Sequence, residues 1–127
     1  MRGYSKEYIL YRHVAYYLRV QYPNVLFHFD PTGLRLTKTQ AGMLKAIQWG
    51  KGYPDMVILE PCNGYHGLFL ELKADGINLY NKLGLPATPH TGEQLDFLSE
   101  LQHRGYKAEF AVGFDDAKKK IDEYLKK

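Results

Sequence analysis

The sequence has one cysteine, no linker-like or low-complexity tract and no long uncharged run. Cys62 alone forms no internal disulfide, so the chain reads as a protein of a reducing compartment. No uncharged stretch approaches the roughly 20 residues that span a bilayer. Arg2, Lys6, Glu7, Arg12 and Arg19 break up any secretory leader near the start. A cytoplasmic protein with no membrane partner is therefore expected. His13, His28, His66, His90 and His103 lack close ligand spacing, and Cys62 with His66 supplies at most half a zinc site. There is no P-loop, Gly-x-Gly-x-x-Gly fingerprint or Ser-His-Asp arrangement, which ranks a small-molecule enzyme last.

What is present describes a single domain, residues 1–127. With 45% hydrophobic and 24% charged residues, the composition is that of an ordinary globular chain. A chain this long hides about two-thirds of its unfolded surface, enough for a core without disulfide or metal staples. Lys+Arg 17 against Asp+Glu 14 gives a net charge of +3. That balance permits a nucleic-acid partner without being a strong electrostatic footprint. The 11 tyrosines suit a groove wall or an interface.

Periodicity lays out the elements in the order α-β-α-β-β-α-β-α. A helix over about 4–22 carries Glu7, Leu10, Tyr11, Val14 and Leu18 on one stripe, and Pro23-Asn24 stops it. Val25–Asp30 alternates as a strand, with His28 on the face opposite Phe27 as an edge residue. The composition of Asp30-Pro31-Thr32-Gly33 predicts a turn. A second helix is predicted over about 38–48, followed by a glycine- and proline-containing loop, Trp49–Pro54. The apolar strand Asp55–Glu60, the turn Pro61-Cys62-Asn63-Gly64 and the strand Gly67–Lys73 form an antiparallel hairpin. Residues 75–90 are irregular, and a loop that long in a small domain is usually functional or mobile. Thr91 opens a helix to about Arg104, Lys107–Val112 is the last strand, and Asp115 or Asp116 caps a final helix striped with Ala117, Ile121, Tyr124 and Leu125. The fold class is α/β with a small mixed sheet.

The hairpin carries the chemistry. Alternation along Leu68-Phe69-Leu70-Glu71-Leu72-Lys73 puts Phe69, Glu71 and Lys73 on one face and the leucines on the other. Folding about Asn63-Gly64 sets Asp55 opposite Leu72, beside Glu71 and Lys73, unless the register slips by one. Two carboxylates on rigid strands suit a hard divalent cation such as Mg2+, with a lysine to hold water and offset phosphate charge. An ordinary Glu71–Lys73 surface ion pair is the competing explanation.

Gly52-Tyr53-Pro54-Asp55, followed by Glu71-Leu72-Lys73, is similar to the signature of the PD-(D/E)xK nuclease superfamily. The order Glu7, Gly-x-Pro-Asp loop, Glu-x-Lys and Gln94 resembles its VRR-NUC family over nearly the whole chain. The resemblance implies a restriction-endonuclease-like core, with a small mixed β-sheet flanked by helices. It implies a DNA endonuclease using Mg2+, with Mn2+ as a substitute, and assigns Asp55, Glu71 and the Leu72 carbonyl as metal ligands. By the same resemblance Lys73 handles water, Glu7 acts on a metal directly or through water, and Gln94 supports the site. Small stand-alone members are typical of phages and prophages, hence a host cytoplasm, and many look like homodimeric nucleases of branched DNA. Gln94 also follows Thr91 by three, the spacing of a capping box, and Glu7 by itself favours a helix dipole. Arg35, Lys38, Lys45, Lys51 and Tyr53 are candidate contacts to the phosphate backbone, whereas Lys118–Lys120, Lys126 and Lys127 read as a solvated helix face. A non-catalytic nucleic-acid-binding or assembly module that keeps the fold is the rival function.

Overall fold

The computed structural model describes residues 4–31 and 34–126. Arg2, Lys127 and the Thr32-Gly33 half of the expected turn lie outside them. The element order is the one expected. Helix α1 (Lys6–Gln21) starts on Ser5, whose hydroxyl accepts from the Tyr8 N–H, and buries Leu10, Tyr11, Val14, Ala15 and Leu18. Strands β1 (Phe27–Phe29), β2 (Met56–Ile58), β3 (Leu68–Lys73) and β4 (Lys107–Val112) form one sheet in the order β1-β2-β3-β4. The first three are antiparallel and β4 is parallel to β3. A parallel pair needs a crossover, which α3 (Pro89–His103) provides; α4 (Gly113–Leu125) follows β4.

The alternation of β3 sorts the two cores. Leu68, Leu70 and Leu72 pack with Leu10, Val14 and Leu18 of α1 and Ala117, Ile121 and Tyr124 of α4. Phe69 packs on the opposite side with Val57, Phe110 and Leu98 and Leu101 of α3. The sheet is thus covered on both faces. Helix α2 (Lys38–Ala46) belongs to neither layer: a Thr37–Gln40 capping box holds its start, yet it buries no residue. Its predicted extension to Gln48 survives as turns, with Ile47 N–H donating to Leu44 O and Gln48 N–H to Lys45 O. Among the described residues no helix is long and apolar enough to cross a membrane.

Three details differ from expectation. First, the hairpin register is Met56↔Leu70, Val57↔Phe69 and Ile58↔Leu68, so Asp55 falls level with Glu71 and not Leu72. The turn keeps the expected centre, with a Cys62↔Tyr65 bridge and positive φ at Asn63 and Gly64. One extra residue in Leu59–Pro61, against His66–Gly67, then shifts the ladder; Pro61 has no N–H to donate. Second, α3 begins two residues earlier than expected, at Pro89 rather than Thr91. Thr88 caps it by accepting from the Thr91 N–H, and Pro89 occupies the first turn. Third, no side chain caps α4; Asp116 instead accepts from the Val112 N–H and pairs with Lys120.

Candidate active site

Glu7, Asp55, Glu71, Lys73 and Gln94 line one cleft of about 340 Å³, together with Leu72, Lys45, Lys51 and Tyr53. Asp55 sits where β2 and β3 part. The last rung is Met56↔Leu70, and the Asp55 side chain takes the place of the next one. Its Oδ2 accepts from the Leu72 N–H at 2.7 Å and its Oδ1 from the Tyr11 hydroxyl at 2.5 Å. Asp55 is 7% exposed. Each carboxylate oxygen has two acceptor positions, of which Tyr11 and the Leu72 N–H each occupy one.

Glu71 projects from the middle of the sheet on the α3 side and is 3% exposed. Gln94 Nε2 donates to its Oε2 at 2.9 Å, and Lys73 Nζ stands 4.0 Å from the same oxygen. Burial, then the neighbouring Asp55 carboxylate, pushes the Glu71 carboxyl far above the usual range; Lys73 opposes this without cancelling it. Two carboxyls this close share a proton when no cation separates them. Burial and Asp55 also push the Tyr11 hydroxyl up, so Tyr11 stays a donor.

Gln94 reaches Glu71 because the Gly52 loop lies directly on the start of α3. Gly52 has φ +87°, and a Cβ there would come within 2.6 Å of the Glu93 carbonyl oxygen and 3.0 Å of the Gln94 nitrogen. The Thr91–Gln94 capping box does not form: Thr91 lies inside the helix, and the Gln94 amide is turned to Glu71. That amide also meets His90 Nε2 at 3.2 Å. Because Gln94 Nε2 is a donor, His90 Nε2 accepts, leaving Nδ1 toward Glu93 Oε1 at 3.6 Å.

Two buried oxygens, Glu71 Oε1 and Gln94 Oε1, have no partner. Orphaned buried acceptors are uncommon. With the like-charge pair of Asp55 and Glu71, they form a hard-oxygen donor set short of positive charge, which fits Mg2+ or Mn2+. Glu7 is exposed at the first turn of α1 and contributes charge that both Glu71 and Tyr11 feel. Among the described residues no three histidine, cysteine, aspartate or glutamate side chains gather closely enough to hold a metal ion. The core of the site is thus a carboxylate pair, with Glu7 standing off from it.

The basic candidates divide. Lys45, Lys51 and Tyr53 line the cleft. Arg35 lines a separate shallow pocket with Tyr4, Ser5, Tyr8 and Leu34, and Lys38 is exposed at the start of α2. Sequence reasoning missed Tyr11, placed only on the apolar stripe, and His90, counted only among scattered histidines. The available signals were spacings of four, from Glu7 to Tyr11 and from His90 to Gln94, which put each pair on one helix face.

No family model and no curated protein matches the chain. A solved structure described as a VRR_NUC domain protein is similar to it, with a TM-score of 0.69 and 26% sequence identity, over 99% of this chain and 92% of that one. The likeness therefore spans the sheet and all the elements that bring the motif residues into the cleft. In fold and in the order of its motif residues, the chain is similar to the VRR-NUC family.

Proposed function

We propose that this protein is a Mg2+-dependent DNA endonuclease, selective for branched or junction DNA and acting as a homodimer. The observation that carries the proposal is the buried Asp55–Glu71 pair, with one unpartnered oxygen on Glu71 and another on the adjoining Gln94. Asp55 and Glu71, with the Leu72 carbonyl, would hold the ion. When bound, Mg2+ or Mn2+ supplies Lewis acidity to the phosphate and a more acidic water. Tyr11 and the Leu72 N–H fix the Asp55 carboxylate, and Gln94 fixes Glu71. Lys73 holds the attacking water and offsets phosphate charge, while Glu7 orders water at the rim. Attack in line on phosphorus forms the new P–O bond as the bond to the 3′ oxygen breaks, leaving a 5′-phosphate and a 3′-hydroxyl. Lys45, Lys51 and Tyr53 contact the backbone near the cut, and Arg35 and Lys38 extend that track. Exposed Tyr16 and Val20 on α1 offer apolar surface for a twofold contact.

A non-catalytic binding module leaves the like-charge pair and the orphaned oxygens without a purpose, so it ranks second. The test is a cleavage panel of duplex, single-stranded, flap and four-way-junction DNA with Mg2+, Mn2+ or EDTA. Cleavage should require the metal, and Asp55→Ala and Lys73→Ala should abolish it while DNA binding persists. Failure of the wild type to cut any substrate with either metal selects the binding module.

A further inference from the structure

We infer that Trp49 is a stacking platform for an unpaired nucleobase, so that the DNA cut in this cleft carries single-stranded character beside the scissile phosphate; the inference rests on the nuclease reading above. Between Asp30 and Asp55 the sequence holds Arg35, Lys38, Lys45 and Lys51 and no acidic residue. This stretch includes α2, which buries no residue, and Trp49, which is 81% exposed. Lys45 and Lys51, which line the cleft, flank this open ring in the sequence, and cations with an exposed aromatic are the combination that single-stranded nucleic acid requires: the cations follow the backbone while the ring stacks on a base.

The ring is open but anchored. Trp49 meets Phe97 perpendicularly at 5.5 Å between centroids, and Phe97 meets Tyr53 at 5.3 Å. Tyr53 in turn packs on Phe69 and lines the cleft. A line of aromatic contacts thus runs from Trp49 through Phe97 to the catalytic cleft, a distance of a few nucleotides at roughly 3.4 Å each along a stacked strand. The perpendicular contact restrains the indole and leaves most of its surface free for a base. In a continuous duplex both faces of each base are covered by neighbours, so an unpaired base is the occupant this ring can take. A second copy of the chain fits less well, because a twofold contact through this stretch would set the four cations against themselves.

Trp49 is the one tryptophan in the chain, so fluorescence excited at the red edge of the indole band, where tyrosine does not absorb, reports this position alone. The full chain, in EDTA to prevent cutting, is titrated with a single strand, a flap and a blunt duplex of matched sequence at one salt concentration. Strong quenching by the single strand and flap, and weak quenching by the blunt duplex, is expected. Trp49→Ala should weaken binding of the first two by about tenfold or more and blunt-duplex binding by less than about twofold. Trp49→Phe should restore most of the loss, and melting temperatures should stay close to wild type. Equal quenching by all three DNAs, or unchanged single-strand affinity in Trp49→Ala, overturns the inference. So does a Trp49→Ala variant that changes only from dimer to monomer in sedimentation, which would make a second copy the occupant. If metal-dependent cleavage needs Asp55 and Lys73 but ignores Trp49, the inference fails and the nuclease assignment stands. If no DNA is cut at all, it is the nuclease assignment that fails.

Discussion

Tyr11→Phe removes one oxygen and keeps the ring in the core. That oxygen donates to Asp55 Oδ1 at 2.5 Å, within the short range of charge-assisted O–H···O− bonds. Asp55 is only 7% exposed, so water has little access to replace the donor. A hydrogen bond to a charged group contributes about 1.5–3 kcal/mol. In a domain of this size that is a fall in melting temperature of about 5–12 °C. The larger consequence concerns the proposed metal. With only the Leu72 N–H left as a donor, Asp55 can rotate, and loss of such a supporting contact typically weakens metal affinity by about 10–100-fold. The assay is cleavage rate against Mg2+ concentration. The midpoint should rise by that factor, and much of the maximal rate should return at saturating Mg2+. A lower melting temperature with an unmoved Mg2+ midpoint would show that Tyr11 supports the fold alone and refute its role in positioning Asp55.

Glu71 has its pKa raised in the folded state, so the metal-free native protein holds a proton that the unfolded chain releases above about pH 4.5. Its contribution to stability is therefore present below that pH and is lost as pH rises toward the folded value. Metal-free melting temperature should decline from pH 5 to pH 8 in wild type and decline less in Glu71→Gln, which should also be the more stable protein at pH 8 and unable to cut DNA. A scanning calorimetry series in EDTA checks this; parallel curves for the two proteins would contradict it. Gly52→Ala forces a methyl group into the Glu93 carbonyl at a positive φ, with an expected cost of roughly 1–3 kcal/mol. Because the same contact seats α3 against the cleft, cleavage should fall along with thermal stability. Stability and cleavage both at wild-type level would show that the loop does not position Gln94.

Much of the fold was legible because β3 is unusually explicit. Its strict alternation assigned three leucines to one core and Phe69, Glu71 and Lys73 to the other face, as observed. The exact register was harder, since one extra residue near Pro61 shifts the ladder while leaving the turn in place. Thr88 and Thr91 are both plausible helix caps, and Thr88-Pro89 was the better signal because proline suits the first helical turn. The convergence of Asp55 and Glu71 followed from the hairpin itself. The Tyr11–Asp55 bond did not: it joins residues 44 apart in sequence, on elements separated by β1 and α2. Local patterning says which helix face is buried but not which strand end it meets. Gln94 was ambiguous for a similar reason, since its partner Glu71 lies 23 residues away on the other side of the irregular 75–88 segment.

The most direct measurement is calorimetric titration of Mn2+ into the metal-free protein at neutral pH, repeated in buffers of different ionisation enthalpy. Saturable binding should occur with release of a proton from the Asp55–Glu71 pair, seen as a buffer-dependent heat, and Asp55→Ala should abolish both. Absence of saturable binding, or binding that survives Asp55→Ala with the same heat, would contradict the assignment of this carboxylate pair as the metal-holding centre of a nuclease.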